Sequence, residues 1–220
     1  MSCYLFYTKD IITAHDSLEN GDNVHLYIAA QGKACVQVIC DHTATLHEID
    51  IPYLIEGGDF EASVPLDELV EVMKHYTVMK VTHNKIVFDG CATRKYEQGD
   101  VVSWSTRLPR TSMVIKVDQS LIGHIDEYQG VKLSFNHVSG AFTVTSGEFG
   151  IDVPVLASFC QSESDESLEQ MSIDPEILLK YFNKYNNKFL KIYFEEDFPL
   201  CIEDVSRSPH RHYIAPYDEL

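Results

Sequence analysis

The chain has 220 residues, with 17 Lys and Arg against 34 Asp and Glu, for a formal net charge of −17 at pH 7. That balance argues against a protein that coats nucleic acid wholesale, which needs cations to displace phosphate counterions, and shifts attention to where the few lysines sit. Apolar residues make up 45% and aromatics 11%, which suits an ordered, strand-rich globule, and no run approaches the ~18 apolar residues of a spanning helix.

Taken in chain order, MSCYLFYTKDIITAHDSLEN at the start lacks a basic region before its short apolar stretch, so it does not read as a secretory leader. Within it, TKDIITAHDSLENG (8–21) predicts a short helix ending at Gly21. VHLYIAAQGKACVQV (24–38) alternates, turns at Gly32 and alternates again, which predicts a hairpin. VPLDELVEVMKHY (64–76) has Asp67 near Pro65 and then helical spacing, which predicts a second helix. Strands follow in VMKVTHNKIVFDG (78–90) and VVSWSTR (101–107).

The second half repeats the order. VDQSLIGHIDEYQG (117–130) predicts a helix, VKLSFNHVSGAFTVT (131–145) a hairpin turning at Ser139-Gly140, and SIDPEILLKYFNKY (172–185) a helix that starts at Asp174-Pro175. Strands follow again in FLKIYFEEDFPLCIEDV (189–205) and HRHYIAP (210–216). The hairpins begin at residues 24 and 131, an offset of about 107, and the helices keep nearly the same offset. Chance likeness between two strand-rich halves is the alternative, but four elements recur in order. The expected fold class is therefore α+β: two similar domains, each with two helices packed on mostly antiparallel sheet. The expected boundaries are 1–107, a short connector at 108–113 within the basic stretch STRLPRTSM, and 114–220.

Several stretches then resemble one family. VKLSFNHVSGAFTVTSGEFG (131–150) is similar to the second-domain hairpin of the proliferating cell nuclear antigen family of DNA sliding clamps. FPLCIEDV…HRHYIAP resembles that family's ending, and VQVICDHTATL (36–46) resembles the end of its first-domain hairpin. The resemblance is divergent, spread over nearly the whole chain, and points to a viral or otherwise fast-evolving source. It implies a processivity factor without catalytic activity or cofactor: a homotrimeric ring around double-stranded DNA, loaded by a clamp loader, that tethers DNA polymerase and other docking-peptide proteins. A checkpoint-like ring subunit or transcription scaffold that no longer slides is the alternative. Closure of a ring would also cover exposed sheet edges, for which 101–107 and 153–160 are the expected strands.

A ring that slides needs cations facing the phosphate backbone without gripping bases. Lys180, Lys184 and Lys188 recur at four-residue spacing and form one helical stripe, with Ile177, Tyr181 and Tyr185 beside it and Leu178 and Phe182 on another. Lys74, with His75, and Lys9 are the expected DNA-facing cations of the first two helices. The third helix departs from this pattern: it has no Lys or Arg and carries Asp118, Asp126 and Glu127. An ordinary solvated helix face is the alternative for the stripe. For partner docking, the resemblance implies Ile39, Leu46, Pro199, Tyr213, Ala215 and Pro216, with core packing the alternative for Ile39 and Leu46. The connector is shorter and more basic than the family's. The acidic run ESDESLE (163–169) reads as a solvated loop.

The six cysteines (3, 35, 40, 91, 160 and 201) are scattered, without CxxC pairs, and are expected to be reduced. Cys40, Asp41, His42 and His47 form one cluster, and Cys201, His210 and His212 another; neither has zinc-motif spacing, so no metal is expected. No phosphate loop or nucleophile elbow occurs, and no membrane contact is expected. The last residues, Tyr217-Asp218-Glu219-Leu220, mimic an endoplasmic reticulum retrieval address. Without a leader they are expected to be a short acidic tail of a protein of the nucleus or cytoplasm.

Overall fold

The computed structural model describes residues 2–18, 23–29, 32–40, 45–90, 92–96, 108–160, 168–206 and 210–217. The chain divides into two compact units, residues 1–41 with 46–104, and residues 105–220 with the short segment 42–45.

Unit 1 contains, in order, β1 (Cys3–Tyr7), α1 (Thr8–Ser17), β2 (Val24–Ala29), β3 (Lys33–Cys40), β4 (Thr45–Asp50), β5 (Leu54–Glu56), β6 (Ala62–Pro65), α2 (Val70–Met73), β7 (Val78–Val81), β8 (Lys85–Phe88) and β9 (Ala92–Lys95). Its strands lie side by side as β5-β1-β7-β8-β9 and as β4-β3-β2-β6. In β2, Val24, Leu26 and Ile28 are buried at every second position, and β3 answers with Ala34, Val36 and Val38 on the same core face. The strand period of two makes this possible. Gly32, at φ +81°, turns the chain between them, a backbone region that costs glycine little. Tyr4, Phe6, Ile11, Met73, Met79 and Phe88 complete the core of the unit.

Unit 2 contains β10 (Thr111–Lys116), α3 (Gln119–His124), β11 (Val131–Asn136), β12 (Ala141–Ser146), β13 (Phe149–Val153), β14 (Val155–Cys160), β15 (Leu168–Ile173), α4 (Pro175–Lys184), β16 (Phe189–Phe194), β17 (Leu200–Asp204) and β18 (His210–Ile214). These lie side by side as β14-β10-β16-β17-β18 and as β13-β12-β11-β15. Among the described residues, the two units therefore repeat the same nine strands and two helices in the same order. Two similar units, each with two helices packed on antiparallel sheet, match the expected fold class. The second hairpin pairs Val131 with Ser146 through to Asn136 with Ala141 and turns at Gly140, φ +70°. Leu133, Phe135, Phe142, Val144, Leu178 and Phe182 build the core of unit 2.

The helices are shorter than their sequence signals. The second was expected over 64–76, but its first residues form β6, where Val64 pairs with Leu26 and Pro65 with His25. Only one helical turn remains. Sheet pairing overrides local helical preference there, because strand pairing buries Ala62 and Val64 completely. The third helix ends at His124 rather than running to residue 130, because Asp126 accepts from the Tyr128 N–H and starts a turn. In the expected connector, Thr111, Ser112 and Met113 already belong to β10. β14 is the outer strand of its sheet in unit 2, whereas residues 101–107, expected as another edge, lie outside the described residues.

Candidate functional site

Helix α4 carries the clearest cationic surface. Its Asp174 side chain accepts from the N–H groups of Glu176 (2.9 Å) and Ile177 (3.3 Å), and Pro175 occupies the first turn. That is a capped start with a residue that needs no hydrogen-bond partner there. Leu178, Tyr181, Phe182 and Tyr185 point into the core, which leaves Lys180 and Lys184 exposed on the other side, one turn apart. Each ammonium lies over an aromatic ring, Lys180 Nζ 6.0 Å from the Tyr181 centroid and Lys184 Nζ 5.7 Å from that of Tyr185. Such contacts hold the charged tips near the surface while the stems cover apolar rings.

Lys188 does not continue the stripe. The helix ends at Lys184, Asn187 takes φ +63°, and its N–H donates to the Val117 carbonyl at 2.7 Å. The chain has left the helical path, and Lys188 Nζ lies 3.6 Å from Asp204 Oδ2, with Asp204 buried. Burial pushes the Asp204 carboxyl up, but the Ser206 hydroxyl and N–H, together with Lys188, hold it below the ordinary carboxylate value. Lys188 is thus a partner for a buried anion.

In unit 1 the expected cations come together. Lys9 and Lys74 line one open hollow of about 330 Å³ with Tyr7, Ile12, Met73 and Tyr76. Both are exposed, but Lys74 Nζ pairs with Glu71 Oε1 at 2.5 Å. Helix α3 has no cation: Asp118 caps it by accepting from the N–H groups of Leu121 and Ser120, which hold its carboxyl low. His124 places Nε2 3.1 Å from the carbonyls of Val144 and Phe149. Both partners are acceptors, so this nitrogen carries the hydrogen.

The expected docking residues divide between the units. Ile39 is half-buried in β3 and Leu46 is buried in β4, both in unit 1. In unit 2, Pro199 and Ala215 are half-buried, Pro216 is exposed, and Tyr213 is buried opposite Cys201. Leu46 and Tyr213 therefore offer no surface to a ligand in this structure. Beyond β18 the tail lies against β15, with the Tyr217 N–H donating to the Ser172 carbonyl at 2.8 Å. Pro216 and Tyr217 line an open cavity of about 380 Å³ with Met171, Ser172, Glu196 and Asp197.

No family model and no curated protein matches the sequence. Among solved structures, the Helicobacter pylori beta clamp bound to a DNA ligase peptide is similar with a TM-score of 0.57 and 11% identity, over 100% of this chain and 67% of that one. The PCNA2–PCNA3 complex from Sulfolobus tokodaii gives 0.50 and 15%, over 98% and 99%. The DNA polymerase III beta chain from Streptococcus pneumoniae gives 0.50 and 15%, over 97% of this chain and 64% of that one, so the chain spans less than two thirds of that protein's length.

The chain has the sliding-clamp fold.

On this clamp fold, sequence reasoning missed a polar cluster in unit 1. Glu48 of β4 is completely buried, with Lys33 Nζ at 2.6 Å, Gln37 Nε2 at 3.2 Å and Cys35 Sγ at 3.6 Å. The available signal was alternation, since Glu48 shares its strand face with Leu46. Among the described residues no group of three or more His, Cys, Asp or Glu side chains is placed to hold a metal ion. Asp41 and His42 of one expected cluster lie outside the described residues; in the other, His212 Nε2 is hydrogen-bonded to the Tyr185 hydroxyl at 2.6 Å. No described helix is long and apolar enough to cross a membrane.

Proposed function

We propose that this chain is a DNA sliding clamp: a processivity factor that closes as a homotrimer around duplex DNA and tethers a DNA polymerase and other docking-peptide proteins. The single observation that carries this reading is the exposed pair Lys180 and Lys184 on α4, presented by a chain with a net charge of −17. A clamp works through topology and proximity. Tethering replaces repeated encounters with a high effective concentration, and weak contacts to phosphate permit sliding. No catalytic group is needed. A clamp loader would place the ring on DNA, in the nucleus or cytoplasm. The accessible tail residues Ala215 and Pro216, with Pro199, are the unit 2 positions for a docking peptide. The peptide-bound Helicobacter pylori clamp supports that kind of partner.

The test is retention on DNA. Clamp loaded on nicked circular DNA stays bound and is lost when the circle is linearised; Lys180→Glu with Lys184→Glu lowers retention by about ten-fold and flattens its salt dependence. In solution the particle has three times the 25.0 kDa mass of the chain, measured by light scattering. A stable monomer, or retention indifferent to linearisation, sinks the proposal.

A second reading is a clamp-fold scaffold that does not slide. It is favoured by the acid-capped, cation-free α3 and by the commitment of Lys188 to Asp204. It expects partner binding without retention on circular DNA.

A further inference from the structure

Unit 1 has a second surface away from its helices, the solvent face of β5-β1-β7-β8-β9. Cross-strand register sets Leu54 beside Leu5, Leu5 beside Lys80, Lys80 beside Val87 and Val87 beside Thr93, in one row on one face. The other face holds Tyr4, Phe6, Met79, Val81, Ile86 and Phe88 in the core. At the β5 end the row is apolar and open. Leu54 is 66% and Tyr7 54% exposed, and with Leu5, Pro52, Tyr53 and Val78 they line a groove of about 400 Å³.

At the β9 end the same face is basic. Lys85 and Lys95 are register partners and both exposed, whereas Arg94 pairs with Ile86 and belongs to the other face. Lys80 is paired to Glu56 at 3.1 Å, but Lys85 and Lys95 have no ion-pair partner among the described residues. Like charges directly opposed across strands are destabilising. A pair of lysines uncompensated among the described residues of so acidic a chain, on the same face as an open apolar groove, fits an amphipathic anionic ligand by charge complementarity.

We propose that this face docks an extended acidic segment of a partner protein, seated by an apolar anchor in the groove. Strands lie about 4.8 Å apart, so Lys80 is about 10 Å and Lys85 and Lys95 about 14–19 Å from β5. An extended segment advances about 3.3 Å per residue. The matching ligand therefore has one large apolar residue with carboxylates three to six positions away. A phosphate backbone would satisfy the lysines and leave the groove empty, so the observations favour a peptide over nucleic acid. The proposal is independent of the sliding-clamp reading and of the tail cavity in unit 2.

The probe is a fluorescein-labelled peptide with a Leu-Phe anchor, a Gly-Ser spacer and four alternating Asp and Glu, made in both chain directions. Its control carries Lys in place of the acids. Fluorescence anisotropy with the full chain is expected to show salt-sensitive binding of an acidic peptide and none of the control. Leu54→Asp, at an exposed position, weakens binding at least about ten-fold, and Lys85→Glu with Lys95→Glu does the same while admitting the lysine peptide. Thermal melts of each variant should match the parent, and Pro216→Ala should bind as the parent does. The proposal is overturned if neither acidic peptide binds at about 1 mM, if Leu54→Asp has no effect, or if Pro216→Ala removes binding. It also falls if a single-stranded DNA oligonucleotide binds more tightly through Lys85 and Lys95 while ignoring Leu54.

Discussion

The two units carry the same sheet face with opposite electrostatic outcomes. By register, Lys80, Val87 and Thr93 of unit 1 correspond to Lys191, Glu203 and Arg211 of unit 2. In unit 2, Glu203 accepts from Arg211 Nε at 3.1 Å and from the Tyr193 hydroxyl at 3.2 Å, and Lys191 Nζ lies 4.7 Å from the Tyr193 ring centroid. That row satisfies itself. In unit 1, valine and threonine stand at the glutamate and arginine positions, and the exposed Lys85 and Lys95 stand where unit 2 has the buried Cys201 and Tyr213. Residue type at a few register positions in a repeated frame thus separates a face that pairs its own charges from one that presents lysines to solvent.

The helix layers differ in length. Unit 2 places ten residues in α4 and six in α3, whereas unit 1 places ten in α1 and four in α2. The long helix of unit 2 leaves two lysines exposed on one face. The short helix of unit 1 binds its lysine to Glu71 one turn away, a surface pair of modest worth that nonetheless reduces local charge.

Breaking the larger contacts first, Phe182→Ala should cost about 3–5 kcal/mol because the side chain is completely buried against unit 2's core. Met73→Ala in the single-turn α2 should cost nearer 2–3 kcal/mol. Denaturant unfolding of the full chain measures both; equal losses would erase the distinction between the helix layers. Next, Lys33→Met strands the buried Glu48 carboxylate without its cation and should cost about 2–4 kcal/mol, measured in the same way.

Glu203→Gln tests the closed row and should cost about 1–2 kcal/mol. It also changes the alkaline limb. Burial, then the Glu203 charge, holds the Tyr193 phenol above its ordinary 10.0. The folded protein therefore keeps a proton that the unfolded chain gives up above pH 10. Stability from this group is present below that pH and declines as pH rises beyond it. Glu203→Gln should flatten the decline, read from melts across the alkaline range. Tyr27 in unit 1, raised by burial and then by Glu61, leaves a parallel decline in both proteins. The smallest effect is that of Val87→Glu, which installs unit 2's carboxylate in unit 1. It should change stability by no more than about 0.5 kcal/mol yet abolish binding of the acidic peptide.

Much of the fold was legible. Alternation at Val24, Leu26 and Ile28 and at Val131, Leu133 and Phe135 marked both hairpins, and the Asp174-Pro175 start marked α4. The candidate site was legible only in part. Lys180 and Lys184 followed from helical spacing, but Lys188 did not, because the left-handed Asn187 ends the path that spacing assumes. The resemblance implied Leu46 and Tyr213 for docking, but both side chains are buried. The row Lys191-Glu203-Arg211 left no local trace.

What the sequence determined by itself was periodic and local: alternating strands, glycine turns, a capped helix and the repeat that sets two units. Those features depend on neighbours two to four residues apart, which the chain states directly. Only the tertiary structure decided which charges are spent and which are free. Lys188 and Asp204, Lys33 and Glu48, and Arg211 and Glu203 meet through strand pairing and chain reversal. Cross-strand neighbours are set by register. The same register leaves Lys85 and Lys95 facing each other with no carboxylate between them.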